Sequence, residues 1–289
     1  IGGKFDWQAK LLFTEHHLSH AASAFFPSPF DRAAVLTLDG VGEWATTSLS
    51  LGDGNKLDIV REIHFPHSIG LLYSAVTYYI GFKVNSGEYK VMGLAPYGEP
   101  KYAQKLLDHV IDVKDDGSFW LNQDYFDYCT GLTMTNQKFA DLFGQPVRKP
   151  ETELLTQFHM DMAASIQSVV EHVMLRLARS IRKETNEKNL CLAGGVALNC
   201  VANGKILKER IFDDIWIQAA AGDAGGALGA ALAAYHLHAG HERPHGRNRD
   251  AMYGAYLGPE FDQAEIESRL RDTGAVFDVL SDEQIIAQT

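Results

Sequence analysis

Cysteine is scarce: Cys129, Cys191 and Cys200 are the only three in 289 residues, and no two form a C-x-x-C pair. That excludes a disulfide scaffold and a thiolate zinc site, and makes a reducing cytoplasm the expected location. A basic excess is missing too, since the formal net charge is −11. No nucleic-acid surface is expected, and any phosphate must be bound locally, by helix N-termini, a few lysines or a metal ion. No secretory signal is visible. The apolar stretch 219–235 carries a Gly225-x-x-x-Gly229 spacing, but Asp223 interrupts it and the remaining run is too short to span a bilayer. Neither G-x-G-x-x-G nor a Walker A loop occurs, so the two commonest nucleotide signatures fail on spacing.

What is present is an ordinary globular composition, 46% hydrophobic and 22% charged, at a length that holds one large domain or two moderate ones. The chain opens on Ile1-Gly2-Gly3 and stops inside what reads as a helix at 284–289, so it is expected to be a piece of something longer. One stretch organises the rest, Glu15-His16-His17-Leu18-Ser19-His20-Ala21-Ala22-Ser23-Ala24-Phe25. With residues 18–26 helical, His16 and His20 lie one turn apart on one face. There they either grip a metal ion or stand as hydrogen-bonded histidines at a helix start.

Residues 10–14 read as a short buried strand that delivers this stretch, and Pro27-Ser28-Pro29 ends its helix. Residues 33–39, 44–51 and 57–63 read as an antiparallel meander. Asp39 closes its first strand beside Gly40 and Gly42, an arrangement that suits an ion, a ligand or a plain hairpin. Ser68 is placed to cap a helix over 69–80. Residues 86–98 form a structured loop with a short helix, in which Glu88 and Lys90 either contact substrate or pair with each other. A helix over 102–113, an insertion of loops and short strands over 115–156, and a long amphipathic helix over 158–185 follow.

The 189–193 strand runs into Gly194-Gly195-Val196-Ala197-Leu198-Asn199, where a glycine pair before a helix is expected to present free N–H groups to an adenosine or phosphate. After a strand at 215–218, Asp223 enters a helix with Gly225 and Gly226, and an acid there needs a cation or a row of N–H groups. Residues 236–249 read as a polar linker, followed by a helix over 261–270 and a strand over 276–280. The expected organisation is a main domain over 1–236, a linker over 237–251 and the beginning of a second domain over 252–289. Two imidazoles and two carboxylates, all at strand ends, make a mixed N/O donor set suited to Fe(II), Mn(II) or Zn(II).

Five motifs occur in one order: His16-His17-Leu18-Ser19-His20-Ala21-Ala22-Ser23-Ala24-Phe25, Leu38-Asp39-Gly40-Val41-Gly42-Glu43, Gly87-Glu88-Tyr89-Lys90-Val91-Met92-Gly93-Leu94-Ala95-Pro96-Tyr97-Gly98, Gly194-Gly195-Val196-Ala197-Leu198-Asn199 and Gly222-Asp223-Ala224-Gly225. Together they resemble the O-carbamoyltransferases of nodulation-factor, cephamycin and aminoglycoside carbamoylation. The resemblance implies an α/β, actin/hexokinase/Hsp70-type (ribonuclease-H-like) ATPase fold, here with an incomplete first lobe. It also implies two chemical steps: carbamoyl phosphate and ATP give carbamoyl-adenylate in a second domain, and the carbamoyl group then passes to a hydroxyl in the metal-containing domain.

Carried over by motif, the metal ligands would be His16, His20, Asp39 and Asp223, with Fe(II) placed first. Gly40, Gly194, Gly195, Asn199, Gly225 and Gly226 would line the adenylate, Glu88 and Lys90 would meet substrate, and His17 or a nearby histidine is expected to help deprotonate the acceptor hydroxyl. Expected partners are carbamoyl phosphate and a small-molecule or sugar hydroxyl, with neither nucleic acid nor membrane. Only the opening of the adenylate-forming domain is expected, from about Met252, so the chain would keep the transfer centre and lack the activation step. Other functions fit the same residues: threonylcarbamoyl transfer to tRNA, a sugar or acetate kinase, or a non-catalytic metal- or nucleotide-binding module. Acidic charge counts against tRNA, and a kinase has no use for His16 and His20.

Overall fold

A computed structural model describes residues 11–244, 246 and 249–289; Lys10 of the expected first strand, and His245, Arg247 and Asn248 of the expected linker, lie outside the described residues. Contacts divide the chain into Ile1–Ala251 and Met252–Thr289. In the larger unit, α1 (His16–Phe25) leads into the meander of β1 (Arg32–Gly42), β2 (Ala45–Asp53) and β3 (Lys56–His64). Next come α2 (Ile69–Tyr79), α3 (Glu88–Leu94), α4 (Ala103–His109), the hairpin of β4 (Ile111–Val113) and β5 (Phe119–Leu121), α5 (Gln137–Phe143) and α6 (Gln157–Thr185). The unit ends with β6 (Asn189–Ala193), α7 (Cys200–Lys208), β7 (Asp214–Ile217) and α8 (Asp223–Ala233).

The main sheet has the order β3-β2-β1-β6-β7. Its pairings are antiparallel from β1 to β2 and from β2 to β3, and parallel from β1 to β6 and from β6 to β7. Central β1 is apolar almost without a break because both of its faces are covered. Ala33 and Val35, with Cys191 and Ala193 of β6, pack against Ala21, Ala22 and Phe25 of α1. Ala34, Leu36 and Leu38, with Leu190 and Leu192, face α2 and α6 through Leu72, Val76, Ile166 and Val170. Local signals set the helix starts: the Ser68 hydroxyl accepts the Leu71 N–H at 3.0 Å, and Thr156 and His159 close a capping box on α6.

Several segments differ from their sequence-based expectation, each for a tertiary reason. Residues 11–14 form no strand; Leu11, Leu12 and Phe13 are exposed and find no ladder partner among the described residues. Apolarity makes a strand only where a neighbour completes its hydrogen bonds. The helix over 102–113 stops at His109, and Ile111–Val113 instead pairs with Phe119–Leu121. The 115–156 stretch contributes to the core: it adds α5, and Phe119, Leu121, Phe126, Phe139 and Phe143 join the α2/α6 cluster. In the smaller unit, α9 (Gln263–Asp272) and α10 (Asp282–Gln288) form, whereas residues 276–280 are irregular, with Val276 fully exposed.

The 236–249 stretch is more than a polar linker. Arg243 is 2% exposed, and its guanidinium donates to the carbonyls of Phe26 (3.0 Å), Phe30 (2.6 Å), Phe25 (2.9 Å) and Ser28 (2.6 Å) while lying 4.5 Å from the centre of the Phe25 ring. It thereby satisfies the carbonyls at and beyond the C-terminus of α1. On the same layer α8 crosses α1 backbone to backbone, since a Cβ at Gly229 would stand 1.7 Å from Ser19 O. Two stability effects are expected in chemical denaturation. Arg243→Ala should cost about 3 kcal/mol or more by orphaning several buried carbonyls, and Arg243→Lys should recover little because a single ammonium cannot reproduce the fork. Gly229→Ala should destabilise by about 1–3 kcal/mol, because the clash with backbone outweighs a helix-propensity gain of at most about 1 kcal/mol. An Arg243→Lys variant as stable as the parent, or a Gly229→Ala variant more stable than it, would refute these accounts.

Candidate metal centre

Helix α1 begins at His16 with no side-chain cap on Glu15; the His16 N–H instead donates to Glu43 Oε2 at 3.0 Å, from the β1–β2 turn. This orphan donor is thus satisfied by a carboxylate, which also suits the positive end of the helix dipole. One turn apart, His16 and His20 bring their Nε2 atoms to 3.0 Å. Asp39 arrives from β1, where the register with β2 shifts between Leu38 and Gly42 and leaves the strand end free of ladder constraints. Asp223 is the first residue of α8, and its side chain is 79% exposed, against 1% for His20 and 12% for Asp39.

These four side chains converge. His16 Nε2 stands 2.9 Å from Asp39 Oδ2 and 3.4 Å from Asp223 Oδ1; the corresponding distances from His20 Nε2 are 3.3 and 3.5 Å. One potential ligand atom from each lies within 4.8 Å of every other. Donor atoms held about 2.1 Å from one ion are about 3.0 Å apart at right angles and about 3.4 Å apart at tetrahedral angles. The observed 2.9–3.5 Å contacts match that spacing, and a set of two imidazoles and two carboxylates has the chemistry of a divalent-cation site.

The electrostatics agree with a site built to hold positive charge. Burial would raise the Asp39 pKa, but hydrogen bonds from His16, His20 and the Gly195 N–H outweigh it and hold the carboxyl well below the usual carboxylate range. The hydrogen bond to Asp39 raises the His16 pKa against its partial burial, helped by the charges of Asp39, Asp223 and Glu43. His17 lies outside this convergence. It is 2% exposed, its Nδ1 meets Ser48 Oγ of β2 at 2.8 Å, and burial lowers its pKa to about 4.

The other sequence-derived candidates divide into engaged and open groups. The glycine pair after β6 does not present free N–H groups: Gly194 donates to Ala221 O at 2.8 Å and Gly195 to Asp39 Oδ1 at 3.0 Å. Gly194 has φ +87°, and a Cβ there would stand 2.2 Å from Leu38 O, so the turn presses directly on the residue before Asp39. Asn199 is buried, capping Ala202 N–H and paired with Gln167. Gly225 closes the first turn of α8 onto Gly222 O, while a Cβ added at Gly226 would meet nothing within 4 Å and one at Gly40 only Leu71, at 3.9 Å.

Glu88 accepts from Ser74 Oγ and from the Asn85 and Gly87 N–H groups, and forms no pair with Lys90, which lies about 6 Å from the Phe82 and Tyr89 rings. Glu43, Ser48 and Gln167 are functional neighbours that the sequence does not single out: Glu43 lies within the Leu38–Glu43 motif, whereas Gln167, in a long amphipathic helix, carries no local signal.

Residues 3–232 match the family model described as carbamoyltransferase N-terminus. An uncharacterized protein of Synechocystis sp. is 64% identical over 280 residues, covering 96% of this chain and 45% of that protein. Nodulation protein NolNO of Sinorhizobium fredii is 37% identical over 252 residues, 87% of this chain and 35% of its own length. Among solved structures, full-length HypF in its phosphate- and nucleotide-bound form aligns with a TM-score of 0.41 at 16% identity, covering 79% of this chain and 44% of that one. The chain therefore spans less than half the length of these relatives. With 230 consecutive positions under one family model, counted from residue 3 to residue 232, the chain belongs to the carbamoyltransferase family.

Proposed function

We propose that this chain is the transfer domain of an ATP-dependent O-carbamoyltransferase, in which a carbamoyl group from carbamoyl phosphate, carried as carbamoyl-adenylate, passes to a hydroxyl of a small-molecule or sugar acceptor. The observation that carries the proposal is the convergence of His16, His20, Asp39 and Asp223 in a family member. Those four residues would hold one divalent ion, Fe(II) first and Mn(II) or Zn(II) as alternatives. Such an ion supplies the positive charge that polarises a carbamoyl carbonyl or orients a mixed anhydride. The sheet order, an antiparallel meander followed by two parallel strands, supports an actin/hexokinase/Hsp70-type fold.

The protein groups have separable tasks. His20 and Asp39 form the buried side of the centre, with His16 half-buried beside them. Asp223 forms the open side, where a hydroxyl arriving from solvent can reach it. The N-terminus of α8 lies next to that carboxylate, and apart from Gly225 N–H, which is bonded to Gly222 O, its first N–H groups suit the phosphate of an adenylate. This moves the phosphate contact from Gly194 and Gly195, whose N–H groups are engaged, toward Asp223 and Ala224 at the start of α8. His17, buried and bonded to Ser48, serves as a packing anchor for α1.

Two experiments test these roles. Anaerobic titration with Fe(II) should give about one equivalent bound, and His20→Ala or Asp39→Asn should weaken binding by more than about 100-fold. A folded parent chain that takes up no Fe(II), Mn(II) or Zn(II) would remove the cation from the proposal. His17→Asn should lower Tm while leaving carbamoyl-adenylate consumption within a few-fold of the parent. A loss of about 10²-fold or more at unchanged Tm would instead make His17 the general base.

A further inference from the structure

We propose that the 194–199 turn, locked by a buried amide pair between Gln167 and Asn199, positions both carboxylates of the cation centre, which makes Gln167 a positioning residue for cation binding. The inference rests on the cation reading of His16, His20, Asp39 and Asp223. At one end of the turn, Gly195 N–H holds Asp39 Oδ1, leaving Oδ2 for the histidines. Gly194 N–H holds the carbonyl of Ala221, two residues before Asp223. One short piece of backbone thus sets the side chain of the first carboxylate and the chain path into the second.

The other end of the turn is fixed from α6. Asn199 Nδ2 donates to Gln167 Oε1 at 2.9 Å, and Gln167 Nε2 donates back to Asn199 Oδ1 at 3.0 Å. Gln167 Oε1 also accepts from Tyr73 OH at 3.1 Å, and its Nε2 also donates to Glu171 Oε1 at 3.0 Å, while Glu171 pairs with Lys205 of α7. All four hydrogen-bonding positions of Gln167 are therefore filled, with 5% of the residue exposed. Asn203 Nδ2 adds a bond to Ala197 O inside the turn at 2.7 Å. With all of its positions used, the Gln167 amide has one arrangement, and that arrangement is passed through Asn199 and the turn to Asp39 and Asp223. Loss of such an outer partner typically weakens metal affinity 10–100-fold.

The test is a Co(II) titration by calorimetry, with the visible absorption of bound Co(II) as a second readout. Gln167→Leu, similar in size and unable to pair with Asn199, should raise the Co(II) Kd by about 10-fold or more and change the absorption spectrum. Leu177→Ala, in the same helix and core, should lower Tm without moving Kd. Should Gln167→Leu fail to fold, Tyr73→Phe removes one bond to Gln167 and should give a smaller shift, about threefold. A Kd unchanged in the Gln167 or Tyr73 variant overturns the inference, as does an equal rise in Leu177→Ala, which would mark general destabilisation. A parent chain that binds no Co(II) overturns the cation reading itself and this inference with it.

Discussion

The carboxylate of Asp39 is the constraint on which the rest of this structure depends. A buried, ionised carboxylate is costly unless its oxygens are satisfied, and here each oxygen is claimed by a different part of the chain. Oδ1 accepts from Gly195 N–H on the far side of the parallel β1/β6 pair, and Oδ2 meets His16 and His20 of α1. Three separate segments must therefore meet at one residue. That requires β1 to be central, its end to bulge away from β2, and β6 to end beside it with a tight turn.

The layer above the sheet is built to bring two helix starts together. Helix α1 offers its histidines from its first two turns, and α8 offers Asp223 as its first residue. Their close crossing at Gly229 and Ser19 leaves no side chain between the backbones, so a small change in spacing is felt at the cluster. Arg243 secures the opposite end of α1 by occupying the carbonyls that its last turn and the following loop leave open. The helix is thus held at both ends, by Glu43 at its N-terminus and by Arg243 at its C-terminus.

The same geometry divides the chemistry. Groups on the buried side hold charge and are themselves fixed by hydrogen bonds, while the exposed side places Asp223 at the N-terminus of α8. The strand-end glycines read from the sequence as phosphate contacts serve the carboxylates, through Gly194 N–H on Ala221 O and Gly195 N–H on Asp39. Backbone N–H groups at a strand end are equally able to bind a phosphate, a carboxylate or a carbonyl, and only the neighbour that arrives decides which.

By itself the sequence determined features whose cause is local. The i, i+4 spacing placed His16 and His20 on one helical face. Runs rich in Val, Leu, Ile and Thr with Gly-containing turns set the meander, and the mixed N/O donor types pointed to a cation. Tertiary structure alone decided the rest. Residues 11–14 lack a strand because no partner among the described residues pairs with them, Arg243 is buried because the carbonyls around Phe25 and Phe30 need donors, and His17 is removed from solvent because α1 turns it onto Ser48 of β2. Gln167 became visible only when α6 was laid beside the turn after β6. Hydrogen bonds between distant segments leave no period and no spacing in a sequence, so their partners are known only once the chain has packed.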